Sequence, residues 1–538
     1  MWRKPLIWSI VVGATVGLGV LGLLVALPGK SSRAPPAPIA TTPAPVKPNA
    51  IEDVACWFPI PSQRQVRCGV LTVPEQWNVA QPARYLHLKF VVFRSAARDP
   101  AEPMLYISGG PGEPALIDSA SIAHWWHWID REAWLKTRDL VVFDQRGVGL
   151  SEPPMECPEL AAAAYRVFGA ALSLTESDAI WAGAAAVCHK RLIGAGIDLS
   201  SYNTQAIAAD IRALIAGLGM RAPILLATSY GTRVALRLAE EPGLALHAMI
   251  LDSVDPPDVA EYVDGAPSAA HAFAQLFGEC AEDPTCRASF PNLSGDFERL
   301  VRQAAAAPIP VELADPRGGK LSVRLDDSKL IEVLFYAFYD WRRIEELPAI
   351  IEALGAGDSK AVEPLLRVAF ENYVAAGVGH GLFLSVECHD EFPFNSREAV
   401  EKGSAGSPLF RNFALSTLPL AVCASWPVGK ASNAERAPAG SNVPTLMLSG
   451  ALDPVTPPSW AAQAAAHLPH AYDFTFRGVG HGVLAGQACA SRIVSRFLAD
   501  PKRAPADDCL LALGPPHFRK GADLRSAVGG SPKGASAQ

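Results

Sequence analysis

A short apolar segment that turns sharply into a helix, at residues 224–240, constrains the fold of this chain more than any other feature. Residues 224–227 read Ile-Leu-Leu-Ala, a buried-strand pattern, and the tight turn Thr-Ser-Tyr-Gly follows at 228–231. A helix is predicted from Arg233 to Glu240. The turn exposes the hydroxyl of Ser229, and the positive end of the helix dipole lies behind it. Negative charge that develops there is stabilised. A serine before glycine is by itself usually an ordinary turn, so its interpretation as a nucleophile depends on partners elsewhere in the chain.

Two downstream loops supply side chains that would activate such a serine. Val443 to Gly450 is a buried-strand pattern, and Asp453 lies in the loop just past its carboxyl end. Tyr472 to Arg477 is another short strand pattern, and His481 follows it between two glycines. An aspartate before proline and a histidine between glycines are each weak signals. Together, in the chain order serine, aspartate, histidine, they predict a catalytic triad.

A glycine cluster after an earlier strand is suited to stabilise an oxyanion. Met104 to Gly112 reads Met-Leu-Tyr-Ile-Ser-Gly-Gly-Pro-Gly, an apolar strand that ends in glycines. Glycines allow close approach of the backbone to a substrate, and each N–H donor contributes about 3 kcal/mol to lowering the barrier of acyl transfer. The predicted donors are the N–H groups of Gly110 and of Tyr230, the residue after the nucleophile. A plain glycine-proline turn is the alternative.

Six motifs together resemble one family. They are Gly-Gly-Pro-Gly at 109–112, Phe-Asp-Gln-Arg-Gly-Val-Gly-Leu-Ser at 143–151, Ser-Tyr-Gly at 229–231, Leu-Asp-Ser at 251–253, Asp-Pro-Val-Thr-Pro at 453–457 and Gly-His-Gly at 480–482. From about Cys56 to Cys509 the chain resembles the proline iminopeptidase and tripeptidyl aminopeptidase group of α/β-hydrolases, in its larger exported branch. Two positions depart from the usual pattern. Ser108 stands where many members have histidine or asparagine, and Ala227 replaces the first glycine of Gly-x-Ser-x-Gly, which bears on turnover rate more than on the assignment.

The resemblance implies the α/β-hydrolase fold, and the order of strand and helix patterns agrees with it. Strand patterns at Gly69–Pro74 and Tyr85–Phe93, followed by short buried strands alternating with helices, predict a doubly wound, mostly parallel sheet. The alternation of strand and helix patterns ends between Asp255 and Asn442. The composition there favours helices, and this is where the fold accepts a cap domain. The predicted regions are a signal segment (1–27), a Pro/Ala-rich linker (28–50), the core (51–254 and 443–513), a helical cap (255–442) and a disordered tail (514–538).

An apolar amino-terminal segment indicates export. Arg3 and Lys4 precede an apolar run from Pro5 to Leu27, and its length of about 23 residues suits a membrane-spanning helix. An uncleaved anchor is favoured over a cleaved signal peptide. The chain is therefore expected in the cell envelope, anchored in the membrane and facing outward, or secreted if the segment is removed. A net charge of only −7, with no basic patch, argues against a nucleic-acid partner.

Cysteine usage is consistent with export, because the count of ten is even. Spacing alone leaves the connectivity open. The resemblance implies nearest-neighbour disulfides, which pair Cys56 with Cys68, Cys157 with Cys188, Cys280 with Cys286, Cys388 with Cys423, and Cys489 with Cys509. Metal binding is the competing interpretation, but no Cys-x-x-Cys pair and no histidine cluster supports it. No metal and no cofactor are expected.

Within the predicted cap, the segment 385–391 (Ser-Val-Glu-Cys-His-Asp-Glu) concentrates acid. In the aminopeptidases that this chain resembles, cap carboxylates bind the free α-ammonium group of the substrate. Glu387 and Glu391 are therefore candidates for that contact. A solvated acidic loop is the alternative interpretation.

These observations predict an exported serine hydrolase, an aminopeptidase that releases short amino-terminal peptides through an acyl-enzyme. Ser229 would attack the acyl carbon, His481 would transfer the proton, and Asp453 would hold the imidazole. Two other functions stay open. A carboxylesterase or lipase would use the same triad on a small ester, and a non-catalytic binding protein would retain the fold alone.

Overall fold

The computed structural model describes residues 49–520, except 316, 376 and 418–419. The predicted signal segment, nearly all of the predicted linker and the tail from residue 521 lie outside the described residues. Within the described ranges, none of the helices combines the length and the apolar character that crossing a membrane requires.

Eleven strands are present in the described residues, nine in one large sheet and two in a separate hairpin. They are β1 (Ala50–Val54), β2 (Val66–Pro74), β3 (Tyr85–Phe93), β4 (Ala101–Ile107), β5 (Arg138–Phe143), β6 (Ile224–Thr228), β7 (Ala248–Asp252), β8 (Ile309–Ala314), β9 (Lys320–Leu325), β10 (Thr445–Gly450) and β11 (Ala471–Phe476). The large sheet has the order β1-β2-β3-β5-β4-β6-β7-β10-β11. Its first four strands pair antiparallel, and all pairs from β5 to β11 are parallel. The prediction of a mostly parallel sheet is confirmed, although β1 was missed.

Eighteen α-helices surround and follow these strands in the described residues. They are α1 (Ala123–Arg131), α2 (Ala133–Lys136), α3 (Pro158–Phe168), α4 (Leu174–Gly194), α5 (Thr204–Leu218), α6 (Tyr230–Ala239), α7 (Glu261–Glu282), α8 (Pro284–Ser289), α9 (Leu293–Ala306), α10 (Asp327–Phe335), α11 (Trp341–Gly355), α12 (Glu363–Val374), α13 (His380–Val386), α14 (Arg397–Gly403), α15 (Arg411–Thr417), α16 (Leu420–Ala424), α17 (Pro458–Ala465) and α18 (Ala488–Ala499).

The central strand β6 shows why the sheet is covered on both faces. All five of its residues are buried. Leu225 and Ala227 pack into the hydrophobic cluster that includes α5 and α6, whereas Ile224 and Leu226 pack into the cluster that includes α18. Side chains alternate between the faces of a strand, and burying each large one stabilises the fold by about 1.5–3 kcal/mol. This burial fixes the carboxyl end of β6, where the turn with Ser229 begins.

The region between β7 and β10 contains helices α7 to α16, together with the hairpin of β8 and β9. The composition predicted helices there and missed the hairpin. A period-two pattern was present in the sequence: Val311 and Leu313 in β8, and Val323 and Leu325 in β9, are buried while their neighbours are more accessible. Alternation of this kind is typical of a half-buried strand.

The predicted disorder after residue 513 is wrong for residues 514–520. The backbone N–H of Arg519 donates a 2.9 Å hydrogen bond to the carbonyl oxygen of Glu345. The guanidinium group of Arg519 lies 3.3 Å from a carboxylate oxygen of Glu346. These contacts attach the segment to α11, and a composition rich in Gly, Pro and Lys did not reveal them.

All ten cysteines lie within the described residues and form five disulfides, with none free. The bonds join Cys56 to Cys68, Cys157 to Cys188, Cys280 to Cys286, Cys388 to Cys423, and Cys489 to Cys509. This is the nearest-neighbour pattern that the resemblance implies.

Candidate active site

Ser229 occupies a strained turn between β6 and α6. Its φ of 56° and ψ of −131° are unusual for a residue with a side chain, and such strain is often concentrated at functional sites. Its backbone N–H donates a 2.9 Å hydrogen bond to the carbonyl oxygen of Asp252. A Cβ at Gly231 would lie 2.4 Å from the carbonyl oxygen of Ile107, so the turn passes too close to β4 for any larger residue. The geometry is that of a nucleophile elbow.

The glycine loop after β4 lies directly against this turn. A Cβ at Gly109 would be 3.0 Å from Cβ of Ser229 and 3.6 Å from its Oγ. In the described part of the chain, the N–H groups of Gly110 and Tyr230 donate to no protein acceptor. For Tyr230 the reason is positional, since the first N–H groups of a helix have no intrahelical acceptor. Both donors are thus available to a substrate oxygen, and their assignment as the oxyanion hole stays a prediction.

The structure brings the predicted partners Asp453 and His481 together. Nδ1 of His481 lies 2.9 Å from Oδ2 of Asp453, and both side chains are almost fully buried. The hydroxyl of Thr456 donates to Oδ2 of Asp453 at 2.8 Å and lies 3.2 Å from Nδ1 of His481. The other oxygen, Oδ1, accepts the backbone N–H groups of Val455 and Thr456 at 2.8 and 3.0 Å. The carboxylate is therefore held in one orientation, which fixes the imidazole as a triad requires.

Asp252 and Ser253 anchor the loop that carries His481, a role that sequence reasoning missed. The two carboxylate oxygens of Asp252 accept the N–H groups of Val483 and Leu484 at 2.8 and 2.9 Å. The hydroxyl of Ser253 accepts the N–H of Gly482 at 2.9 Å. Since the carbonyl oxygen of Asp252 also holds the N–H of Ser229, one dipeptide positions both the serine and the histidine loop. The Leu-Asp-Ser motif at 251–253 was the available signal.

No hydrogen bond joins the hydroxyl of Ser229 to the imidazole of His481 among the described residues. Catalytic hydrogen bonds of this kind are often long in the free enzyme and shorten only when substrate binds. The backbone of Ser229 and the loop of His481 are nevertheless both hydrogen-bonded to the dipeptide of Asp252 and Ser253.

The charges around His481 predict how kcat/KM depends on pH. Burial opposes the imidazolium, but the charge and hydrogen bond of Asp453 outweigh it and raise the pKa of His481 above its ordinary 6.5. A general base must be neutral to accept a proton. We therefore expect kcat/KM to rise with pH with a midpoint above 6.5, measured on an uncharged, amino-blocked ester. In Asp453→Asn the midpoint should fall because the largest stabilising charge is gone. A wild-type midpoint below 6 would contradict this environment.

Acidic side chains from two elements meet near this histidine. Glu387 is buried and accepts a 2.6 Å hydrogen bond from the hydroxyl of Tyr262. Burial is the largest cause that raises the pKa of Glu387 to about 8, and the neighbouring Glu391 adds to it. Glu261, at the start of α7, keeps partial solvent access. Burial and then the charge of Glu387 raise the pKa of Glu261 well above its ordinary value.

Glu391 differs from Glu387 in its partners. It forms ion pairs with Arg233 and Arg436, and its side chain is only 1% exposed. Arg233 is itself also paired with Asp255 at 2.8 Å. A carboxylate that already has two guanidinium partners and almost no solvent contact is poorly placed to receive a substrate. The prediction that Glu391 contacts substrate stays a prediction, and the ion pairs of Glu391 favour a structural role. Sequence reasoning did not single out Glu261, which interacts with Glu387 here.

One group of potential metal ligands occurs in the described residues, formed by Cys157, Glu159 and Cys188. The two cysteines are joined as a disulfide and so offer no thiolate.

Comparison with known proteins agrees with this geometry. Residues 102–287 match the family described as alpha/beta hydrolase fold, and residues 407–509 match the family described as TAP-like protein. The chain is 25% identical to the serine protease Hip1 of Mycobacterium tuberculosis, over 94% of this chain and 97% of that protein. It is 27% identical to Carboxylesterase B of the same species, over 82% of this chain and 86% of that protein.

Among solved structures, a proline iminopeptidase from Mycobacterium smegmatis aligns with a TM-score of 0.38 and 14% identity, covering 80% of this chain and 98% of that one. The sheet order, the strained turn at Ser229 and the two family matches together confirm the predicted fold. The chain is a hydrolase with the α/β-hydrolase fold, and its residues 407–509 match the TAP-like protein family.

Proposed function

We propose that this chain is a serine peptidase that releases short peptides from the free amino terminus of its substrate. Ser229 is the nucleophile, His481 the general base and acid, and Asp453 the residue that orients the imidazole. The similarity to the serine protease Hip1 over nearly the whole chain supports peptide hydrolysis. The observation that supports recognition of the amino terminus is a cluster of acidic side chains close to His481, in which carboxylates outnumber guanidinium groups.

This acidic cluster contains more carboxylates than positively charged groups. Four carboxylates interact in the described part of this region, and two guanidinium groups, of Arg233 and Arg436, face them. The carboxylates are those of Asp255, Glu261, Glu387 and Glu391. Both arginines form ion pairs with Asp255 or Glu391. Among the described residues Glu261 and Glu387 form no ion pair of their own, and they share only the charge of Arg233. A substrate ammonium group would compensate this charge, and a charge-assisted contact of that kind contributes about 1.5–3 kcal/mol.

The cluster also lies within reach of the triad. The ring of Tyr339 is 4.9 Å from the ring of His481, centroid to centroid. Burial is the largest cause that raises the pKa of Tyr339, and the charges of both Asp453 and Glu261 add to it. Tyr339 is thus close to both sites. An amino terminus held at Glu261 and Glu387 would place a bond only a few residues away beside Ser229, and this limits the released peptide to a short one.

Neutralising these carboxylates tests the proposal. We expect Glu387→Gln and Glu261→Gln each to raise KM about tenfold or more for tripeptidyl substrates with a free amino group, because each removes a charge-assisted contact. Hydrolysis of amino-blocked acyl esters measured in parallel reports on the triad alone. Glu352→Gln, on an exposed position of α11, is the matched control. If wild-type protein cleaves free and blocked peptides equally well, recognition of the amino terminus is refuted.

An esterase is the second candidate, supported by the similarity to Carboxylesterase B. Esterases and peptidases use the same triad and oxyanion hole, so the two functions are distinguished only by comparing substrates in the assay above. A rate that is high on short acyl esters and negligible on every peptide would favour this second function.

We also propose that the protein is exported, with residues 1–27 as a membrane anchor or cleaved signal. Five disulfides within the described residues support this, because disulfides form and persist in oxidising compartments outside the cytosol. Fractionation of expressing cells into cytosol, membrane and medium tests it.

A further inference from the structure

Another acidic side chain, outside the cap cluster of Asp255, Glu261, Glu387 and Glu391, lies beside the glycine loop that carries the predicted oxyanion donor Gly110. Glu113 follows the Gly-Gly-Pro-Gly segment, and its side chain is exposed to solvent. In the described part of the chain its carboxylate forms neither a hydrogen bond nor an ion pair. Its Cγ is 3.3 Å from the position that a Cβ on Gly110 would occupy. The side chain of Glu113 therefore passes beside Gly110, whose backbone N–H is predicted to stabilise the oxyanion.

Glu113 lies close to the triad, because it is on the same loop as Gly109, where a Cβ would be 3.6 Å from Oγ of Ser229. The protein around it raises the pKa of its carboxyl despite the solvent contact, and the charge of His481 acts in the opposite direction. Burial raises the pKa of Tyr339, which lies against His481, and Glu113 contributes to that shift. The charges that act most strongly on Glu261 and Glu387 do not include Glu113. Glu113 is thus an acidic side chain beside the oxyanion donors that does not belong to the cap cluster.

We propose that Glu113 is a specificity-determining residue that pairs with a cationic side chain, of the lysine or arginine type, next to the scissile bond of the substrate. An unpaired carboxylate beside Gly110 repels the oxyanion that forms during acyl transfer. A substrate cation at this position removes the repulsion and gains a charge-assisted contact. The inference rests on the proposed reaction at Ser229 and does not depend on recognition of the α-ammonium group by the cap cluster.

The test compares two substrates that differ in the terminal ammonium group of one side chain. They are the p-nitrophenyl esters of amino-blocked lysine and amino-blocked norleucine, whose side chains have the same number of carbon atoms. We expect wild-type protein to prefer the lysine ester by about tenfold or more in kcat/KM. In Glu113→Gln, which keeps the shape of the side chain, the ratio should fall to near one. The control Glu352→Gln should keep the wild-type ratio.

Three outcomes are decisive. A wild-type ratio near one, or an unchanged ratio in Glu113→Gln, would overturn the proposal. If Glu113→Gln instead raises KM for free-amine peptides while the lysine preference persists, Glu113 contacts the α-ammonium group and the assignment to a side chain is wrong. Failure of the proposed amino-terminal recognition would be seen separately, as equal cleavage of free and blocked peptides, and would leave the ratio between the two blocked esters unaffected.

Discussion

Replacing Ser229 by alanine is expected to lower kcat by at least about 10⁴-fold on every substrate and to abolish labelling by a fluorophosphonate probe. The reason is chemical: without Oγ no acyl-enzyme forms, and only the binding contacts and oxyanion donors remain. The fold should accept alanine at this strained φ of 56°, because alanine keeps the Cβ of serine and adds no atom.

The matched control is Ser294→Ala, because Ser294 is an exposed serine on α9. It should retain both activity and probe labelling. His481→Ala should lose activity to a similar degree as Ser229→Ala, and the double variant should lose little more, because triad members act as a unit. If Ser229→Ala is labelled by the probe as strongly as the wild type, Ser229 is not the nucleophile, even if hydrolysis is slower.

Removing the disulfide between Cys388 and Cys423 is expected to lower the free energy of unfolding by about 4 kcal/mol. This bond has the largest sequence separation of the five, 35 residues. In the chain-entropy account, a disulfide stabilises by restricting the unfolded chain, and the effect grows with the length of the closed loop. The loss is a large share of the 5–15 kcal/mol that usually separates folded from unfolded protein.

The double variant Cys388→Ala, Cys423→Ala is measured by equilibrium denaturation. The variant that lacks the bond between Cys280 and Cys286, separated by 6 residues, is the control and should lose only about 2 kcal/mol. Cys388 directly follows Glu387, so KM for free-amine peptides should also rise in the first variant. Equal stability losses in the two variants would contradict the entropic explanation.

The triad was accessible to sequence reasoning because each of its members lies in a local pattern. Ser229, Asp453 and His481 each follow a short apolar strand within a few residues, and the carboxyl ends of parallel strands meet at one edge of a sheet. Chain order and strand ends therefore suffice to bring Asp453 and His481 together without any knowledge of packing. The anchoring of the His481 loop by Asp252 was not accessible, since it depends on side-chain bonds across 231 and 232 positions of the chain.

The sequence by itself determined the fold and the presence of acid in the region after β7, and it predicted the nucleophile with its two partners. Only the tertiary structure decided which acids are free. Glu391 resembles Glu387 in the sequence, but it is neutralised by Arg233, 158 residues away, and by Arg436, 45 residues away. Glu261, from a different helix, joins Glu387 in its place. The physical reason is that strand periods and turn chemistry act over a few residues, whereas the state of a buried charge depends on every group packed around it.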